Sequence, residues 1–423
     1  MQAVKFSVRS TDMQKLLVLS PFCAYSGIKH AGGKIHYHYL KKLEAVYAIT
    51  HIGVAKLAEQ EAIAAGGIQA DRHIFYKDAC VSPVQRFFSR LQDWFTQHNP
   101  FDRYAGFVEY PMHRFFLREC RALKKKRYEP DIVLLDWTQA VFLSGKLRAF
   151  FPKARLICVE QDVSYLKYRR FYEHTPQLLK KAVRFVKYLN IRRQELSALR
   201  RADEILVLNE KDRDLLCSDS SGCLKNIRVI VPYFDTYFDV CRADVPENDI
   251  LFFGAMSRPE NFKSALWFIE QVLPLLPEQF RFVIVGNNPP PELLRCNGNR
   301  VLVKGFVEDV RPLFATALCF VCPLVSGAGI KIKILEALSA AVPVITNAIG
   351  IEGIPAQRGS DCIFAETPAE YADAVRRFAA DADYRRSVGD SGREFIRRRF
   401  NYEQESYVLP PPGNEALVRP MLF

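Results

Sequence analysis

The chain has 423 residues, 49% of them apolar and 25% charged, which excludes intrinsic disorder and exceeds what one hydrophobic core ordinarily organises. Its formal net charge of +12 favours acidic partners such as phosphorylated substrates or an anionic membrane surface. No basic stretch carries the interleaved aromatics and glycines of an RNA-reading motif, so nucleic acid is not an expected partner.

In chain order, Lys15–Ser20 is an apolar run closed by Pro21, followed by a loop with Gly27, Gly32 and Gly33 and a helical pattern over Ile35–Ala48. Strand, glycine loop and helix open an α/β domain. The stretch from Gly53 to Tyr128 is aromatic-rich, weakly patterned and helical in pieces. Asp131–Asp136 and Arg155–Glu160 read as buried parallel strands, and Glu204–Leu208 and Ile227–Val231 repeat the pattern. Pro176–Arg201 has apolar residues at helical spacing and many cations. That predicts either a membrane-facing basic helix or, as the preferred reading, the solvated outer face of the layer.

The pattern breaks over Pro232–Asn248, where a linker is expected. A second α/β run follows: strand Ile250–Phe253, a helix capped by Asn261 and running to Leu273, and strand Phe280–Val285 closed by Gly286. Short strands at Val301–Val303 and Cys319–Cys322, helix Lys331–Ala341 and strand Pro343–Thr346 continue it. Thr367-Pro368-Ala369-Glu370 is a helix start, with Thr as cap and Glu three residues on. The expected fold class is α/β, with two Rossmann-like, doubly wound parallel-sheet domains facing across a cleft. Expected bounds are 1–240, 247–395, and a C-terminal helix or tail, 396–423, crossing back to the first domain.

Eleven cysteines, an odd count, lie scattered and often inside apolar runs, as expected for reduced buried thiols rather than a disulfide frame. The first apolar run is too short for a secretion signal, and no stretch reaches the roughly 20 apolar residues of a membrane span. The expectation is a cytoplasmic protein, at most peripheral at the inner face of a membrane.

The chemistry concentrates in residues 323–354. A strand gives way to Ser326-Gly327-Ala328-Gly329, and that loop opens a helix. Glycines let backbone approach a phosphate, and a helix N-terminus offers free N–H groups and partial positive charge. Lys331 and Lys333 oppose that dipole, which a bound diphosphate would offset. Lys333 and Glu336 share a helix face, a lysine for phosphate beside a carboxylate for sugar hydroxyls.

With these residues the chain resembles the family 4 glycosyltransferases of the GT-B fold, of the exopolysaccharide and capsule type. The resemblance rests on Gly254-Ala255-Met256, Asn261, Trp267-Phe268 and Val272-Leu273-Pro274; on Lys304-Gly305-Phe306-Val307-Glu308-Asp309-Val310-Arg311-Pro312; and on Lys333-Ile334-Leu335-Glu336-Ala337-Leu338, Pro343-Val344 and Gly350-Ile351-Glu352-Gly353. It implies retaining transfer of a sugar from a nucleoside diphosphate sugar, with no metal and no further cofactor, to a glycan or lipid-linked acceptor. It implies a donor site of Gly32, Gly33, Gly254, Arg258 or Lys263, Gly327, Gly329, Lys331, Lys333 and Glu336, with Glu336 on the ribose hydroxyls.

The chain departs from the family at three points. Ala328 stands where many members have a glutamate, Ala255 where an arginine is usual, and Gln161 where a histidine often stands. Catalytic candidates are Gln161, Asp162 and Lys333; acceptor-side candidates are Asp136, Trp137 and Glu160, all at strand ends where α/β ligands bind. His36 and His38 are expected to be structural. A non-catalytic nucleotide-sugar-binding protein of the same fold is the alternative.

Overall fold

A computed structural model describes residues 13–77, 95, 96, 99, 101–327, 329–403 and 405–408. Two compact units emerge, one of Met1–Tyr233 with Glu403–Phe423, the other of Phe234–Tyr402. The first therefore ends seven residues before the expected 240. The last helix, Ala382–Arg399, lies wholly in the second, so residues 396–402 belong there rather than to a returning tail.

Unit 1 is built on seven parallel strands: β1 (Gln14–Leu19), β2 (Tyr47–Ala55), β3 (Asp71–Tyr76), β4 (Ile132–Asp136), β5 (Arg155–Glu160), β6 (Glu204–Val207) and β7 (Ile227–Val229), in the order β3-β2-β1-β4-β5-β6-β7. Leu16–Leu19 pairs with Ile132–Leu135 at its centre, and all eight side chains are buried, as a sheet covered on both faces requires. β2 and β3 depart from the sequence expectation. Tyr47–Ala55 buries Thr50, His51 and Gly53 among its apolar residues, and Asp71–Tyr76 is a half-buried edge strand, so neither shows an unbroken apolar run. The first helix starts at Ala31 and ends at Leu43, which puts Gly32 and Gly33 inside its first turn rather than in a loop.

The segment 405–408 completes this unit. Arg228 donates to the Ser406 and Tyr407 carbonyls, Lys42 to those of Glu403 and Glu405, and the fully buried Tyr407 ring stacks on Tyr39 at 4.6 Å.

Unit 2 carries six parallel strands: β8 (Asp249–Phe253), β9 (Arg281–Val285), β10 (Val301–Gly305), β11 (Cys319–Cys322), β12 (Val344–Thr346) and β13 (Ile363–Phe364), ordered β10-β9-β8-β11-β12-β13. Its core holds Phe252, Phe268, Phe282 and Phe320, all fully buried. Thr367 caps the Pro368–Ala380 helix as expected, accepting from the Glu370 amide while Glu370 accepts from the Thr367 amide. Six of the ten described cysteines are buried, and burial pushes the Cys23 and Cys319 thiols up to about 12; Cys217, Cys223 and Cys241 are exposed. No helix among the described residues is long and apolar enough to cross a membrane.

Candidate functional site

In a doubly wound sheet the loops diverge where strand order reverses, and the crevice at the carboxyl ends there is where ligands bind. In unit 2 that point is β8 beside β11. After β8 comes Gly254; after β11 come the loop through Gly327 and Gly329 and the helix Ile332–Ser339. Gly327 (φ 148°) and Gly329 (φ 70°) hold the left-handed backbone that glycine alone adopts readily. Ala328 lies outside the described residues.

Three elements converge on Lys333. Its amine donates to Asn261 Oδ1 at 2.6 Å and lies 4.7 Å from the centre of the Phe252 ring. A methyl at Gly254 would stand 2.8 Å from that same nitrogen, so the glycine is what lets the amine reach the strand end. Burial pulls the Lys333 pKa below the lysine range; Cys322 opposes that shift, and the charge of Arg258 adds to it. Lys331 behaves differently. It is only 8% exposed, donates to the Gly329 carbonyl, and lies 3.9 Å from Glu352, so it ties the glycine loop down from beneath.

The surroundings lock this corner. Val325 N–H donates to Ser264 Oγ, Asn347 holds the Leu324 carbonyl and the Gly350 amide, and the Asn261 amide donates to the Ala255 carbonyl. Glu336 sits one helical turn beyond Lys333, half-buried, and its charge reaches both Lys333 and the Tyr237 hydroxyl. Arg258 pairs with Glu260 just before the Pro259–Trp267 helix, whereas Lys263 is exposed on that helix. Of these two candidates, only Arg258 acts electrostatically on Lys333.

The matching point of unit 1 is β1 beside β4. It is closed by a buried network. Asp136 accepts from His36 Nδ1, from Gln161 Nε2 at 3.1 Å and from the Tyr407 hydroxyl at 3.2 Å, and His36 Nε2 faces His51 Nε2 at 3.1 Å. Trp137 follows with φ 75° and ψ 146°, a conformation rare outside glycine. Its ring and Gln161 occupy the space beside Gly32, where a methyl would meet them at 2.2 and 2.6 Å.

Residues 247–381 match the family model "Glycosyl transferases group 1". The matched residues all lie within unit 2. An uncharacterised 44.6 kDa protein from the cps region of Klebsiella pneumoniae is 21% identical over 299 residues, covering 67% of this chain and 74% of that one. Among solved structures, Anabaena HepE in complex with UDP superposes with a TM-score of 0.64 at 15% identity (92% of this chain, 96% of that one). Sucrose-phosphate synthase from Thermosynechococcus elongatus gives 0.63 at 14% (92% and 96%). A variant of S. aureus TarM solved with Fondaparinux, α-GlcNAc-glycerol and UDP gives 0.63 at 11% (92% and 98%). At such identities the likeness is one of fold, two Rossmann-like α/β units of the GT-B class.

Within unit 2, Gly254, Arg258, Gly327, Gly329, Lys331, Lys333 and Glu336 gather at one strand edge. Asn261 corrects the sequence reading. It is no helix cap, since Arg258 holds that position and Pro259 opens the helix; instead its side chain positions Lys333 from 72 residues away. In unit 1, Asp136 and Glu160 are fully buried, which removes them from any direct acceptor contact. Asp136 organises the network above. Glu160 accepts from Thr138, and burial together with the charge of Glu195 holds its carboxyl well above the usual range. Gln161 is 6% exposed, while Trp137 and Asp162 are half-exposed at the edge. His36 and His38 are both structural: burial pushes His38 down to about 3, and it stacks on Tyr233 at 4.1 Å.

Proposed function

We propose that the protein transfers a sugar from a nucleoside diphosphate sugar to a glycan or lipid-linked glycan, with retention at the anomeric carbon, in the synthesis of a cell-surface polysaccharide. The observation that carries this is the convergence of Gly254, Asn261 and Lys333 on the opening of the Ile332–Ser339 helix. A half-buried amine, a helix N-terminus and a glycine-lined loop suit two linked phosphoryl groups. The relative encoded in a cps region and the UDP and glycan ligands of the HepE and TarM structures support the substrate class.

On this reading Lys333 and the loop amides stabilise the departing diphosphate and Glu336 holds the ribose hydroxyls. Arg258 adds charge without a metal. The bond from C1 to the phosphate oxygen breaks as the acceptor oxygen bonds C1 on the same face. The acceptor proton passes to the leaving phosphate oxygen, so no separate base is required. On the same reading Trp137 and Asp162, both half-exposed, are the unit 1 groups that meet an acceptor.

The test is a panel of nucleotide sugars scored for thermal stabilisation and for nucleotide release with chelator present. One donor should stabilise the protein and be turned over, and Lys333→Ala and Glu336→Ala should each slow release about 100-fold or more. Unchanged turnover in both variants overturns the assignment. Binding without release on any glycan acceptor would instead favour a non-catalytic donor-binding protein.

A further inference from the structure

The helices Ser164–Glu173 and Leu178–Leu199 pack as a hairpin, but only the second half of the longer one enters the core. Its buried residues begin at Ile191. The twelve residues before Asn190 extend about 18 Å along the helix axis with none fully buried. Leu178 and Leu179 are 83% and 86% exposed, and Phe171, Val183, Phe185 and Leu189 are exposed as well. This is not a frayed end: Tyr172 meets the rings of Phe185 and Tyr188, and Arg184 donates to Thr175 Oγ1 at 2.6 Å.

Charge on this stretch has one sign. Between Glu173 and Glu195 there are six Lys or Arg residues and no acid. Leu178, Ala182, Phe185 and Leu189 follow one another at steps of three or four, and Lys180, Arg184 and Lys187 do the same about half a turn away, so an apolar face lies opposite a cationic one. Where the hairpin meets the loop at Phe107, a cavity of about 580 Å³ is lined by Phe107, Phe171, Leu179 and Val183, with Lys180 and Lys187 among the lining cations.

We propose that this hairpin docks the protein on an anionic phospholipid bilayer, with Leu178, Leu179 and Phe185 entering the acyl boundary and the lysines meeting headgroup phosphates. An exposed apolar face opposite a lysine- and arginine-rich one is what an interfacial helix needs, since each cation near an anionic leaflet adds attraction that salt removes. A second copy of the chain is the poorer occupant, because a self-complementary contact would oppose two patches of the same charge. The proposal is independent of the glycosyl transfer reading.

The experiment is co-sedimentation of the full chain with phosphatidylcholine vesicles, with and without phosphatidylglycerol, at low and high salt. Wild type should bind the anionic vesicles at low salt and release at high salt. The pairs Leu178→Glu with Leu179→Glu, and Lys180→Glu with Arg184→Glu, should each weaken binding by about tenfold or more, while Lys180→Arg with Lys181→Arg retains it. Melting temperatures check that the variants stay folded. Failure of wild type to sediment, or equal sedimentation by the glutamate variants, overturns the proposal. So does a loss of self-association in the leucine variant with vesicle binding intact, which would identify a second copy as the occupant.

Discussion

The two switch points make a natural comparison. Each sets a glycine and a helix N-terminus at the reversal of strand order, yet they differ in what their polar groups do. In unit 1 one carboxylate, Asp136, draws His36, Gln161 and Tyr407 inward, and Trp137 fills the space over Gly32. In unit 2 the central group is a cation, the half-buried Lys333, held by an asparagine and an aromatic face. The same topology thus yields one edge whose polar capacity is used internally and one centred on a cation, as the proposed function requires. Topology provides the position, and the sign of the charge set there bears on what could occupy it.

That contrast can be broken from either side. Asp136→Ala leaves three donors without their acceptor and should cost about 3–5 kcal/mol, seen as a lower melting temperature with the proposed donor binding by unit 2 retained. Lys333→Ala should lower kcat/KM for nucleotide release about 100-fold with little loss of stability. Gly32→Ala forces a methyl against Trp137 and Gln161 and should destabilise unit 1 by about 1–3 kcal/mol by calorimetry.

Two pH effects sharpen the comparison. Glu160 keeps its proton in the folded state to a higher pH than in the unfolded chain, so the folded state binds more protons once pH exceeds the unfolded carboxyl range. Its contribution to stability is therefore fully present at acid pH and lost as pH rises. Glu160→Gln should flatten the melting-temperature profile, with its gain of about 1 kcal/mol largest at alkaline pH and absent at acid pH. The lowered Lys333 pKa should make donor affinity fall with rising pH sooner than an ordinary lysine would, and Lys333→Arg should move that fall upward, read by titration calorimetry.

The central strands were legible because Ile132–Leu135 and Phe282–Val285 are unbroken apolar runs, and the Thr367 cap because its signature is local. The glycine loop and Lys333–Glu336 were legible because their chemistry is contiguous. β2 was not, since Thr50, His51 and Gly53 interrupt its pattern and their burial depends on neighbours. Asn261 looked like a cap because an asparagine before apolar residues usually is one; Pro259 was the stronger marker of the helix start. No spacing rule links Asn261 to Lys333, or Asp136 to Tyr407 across 271 positions. Those partnerships exist only once the sheets form.

The return of Glu403–Val408 to unit 1 has a bearing on biogenesis. Tyr407 leaves the ribosome after all of unit 2, so the nascent N-terminal sheet waits with Asp136 one donor short while the later unit can close by itself. Co-translational folding would then run out of chain order, and a chaperone or protease would meet the N-terminal unit at its most vulnerable.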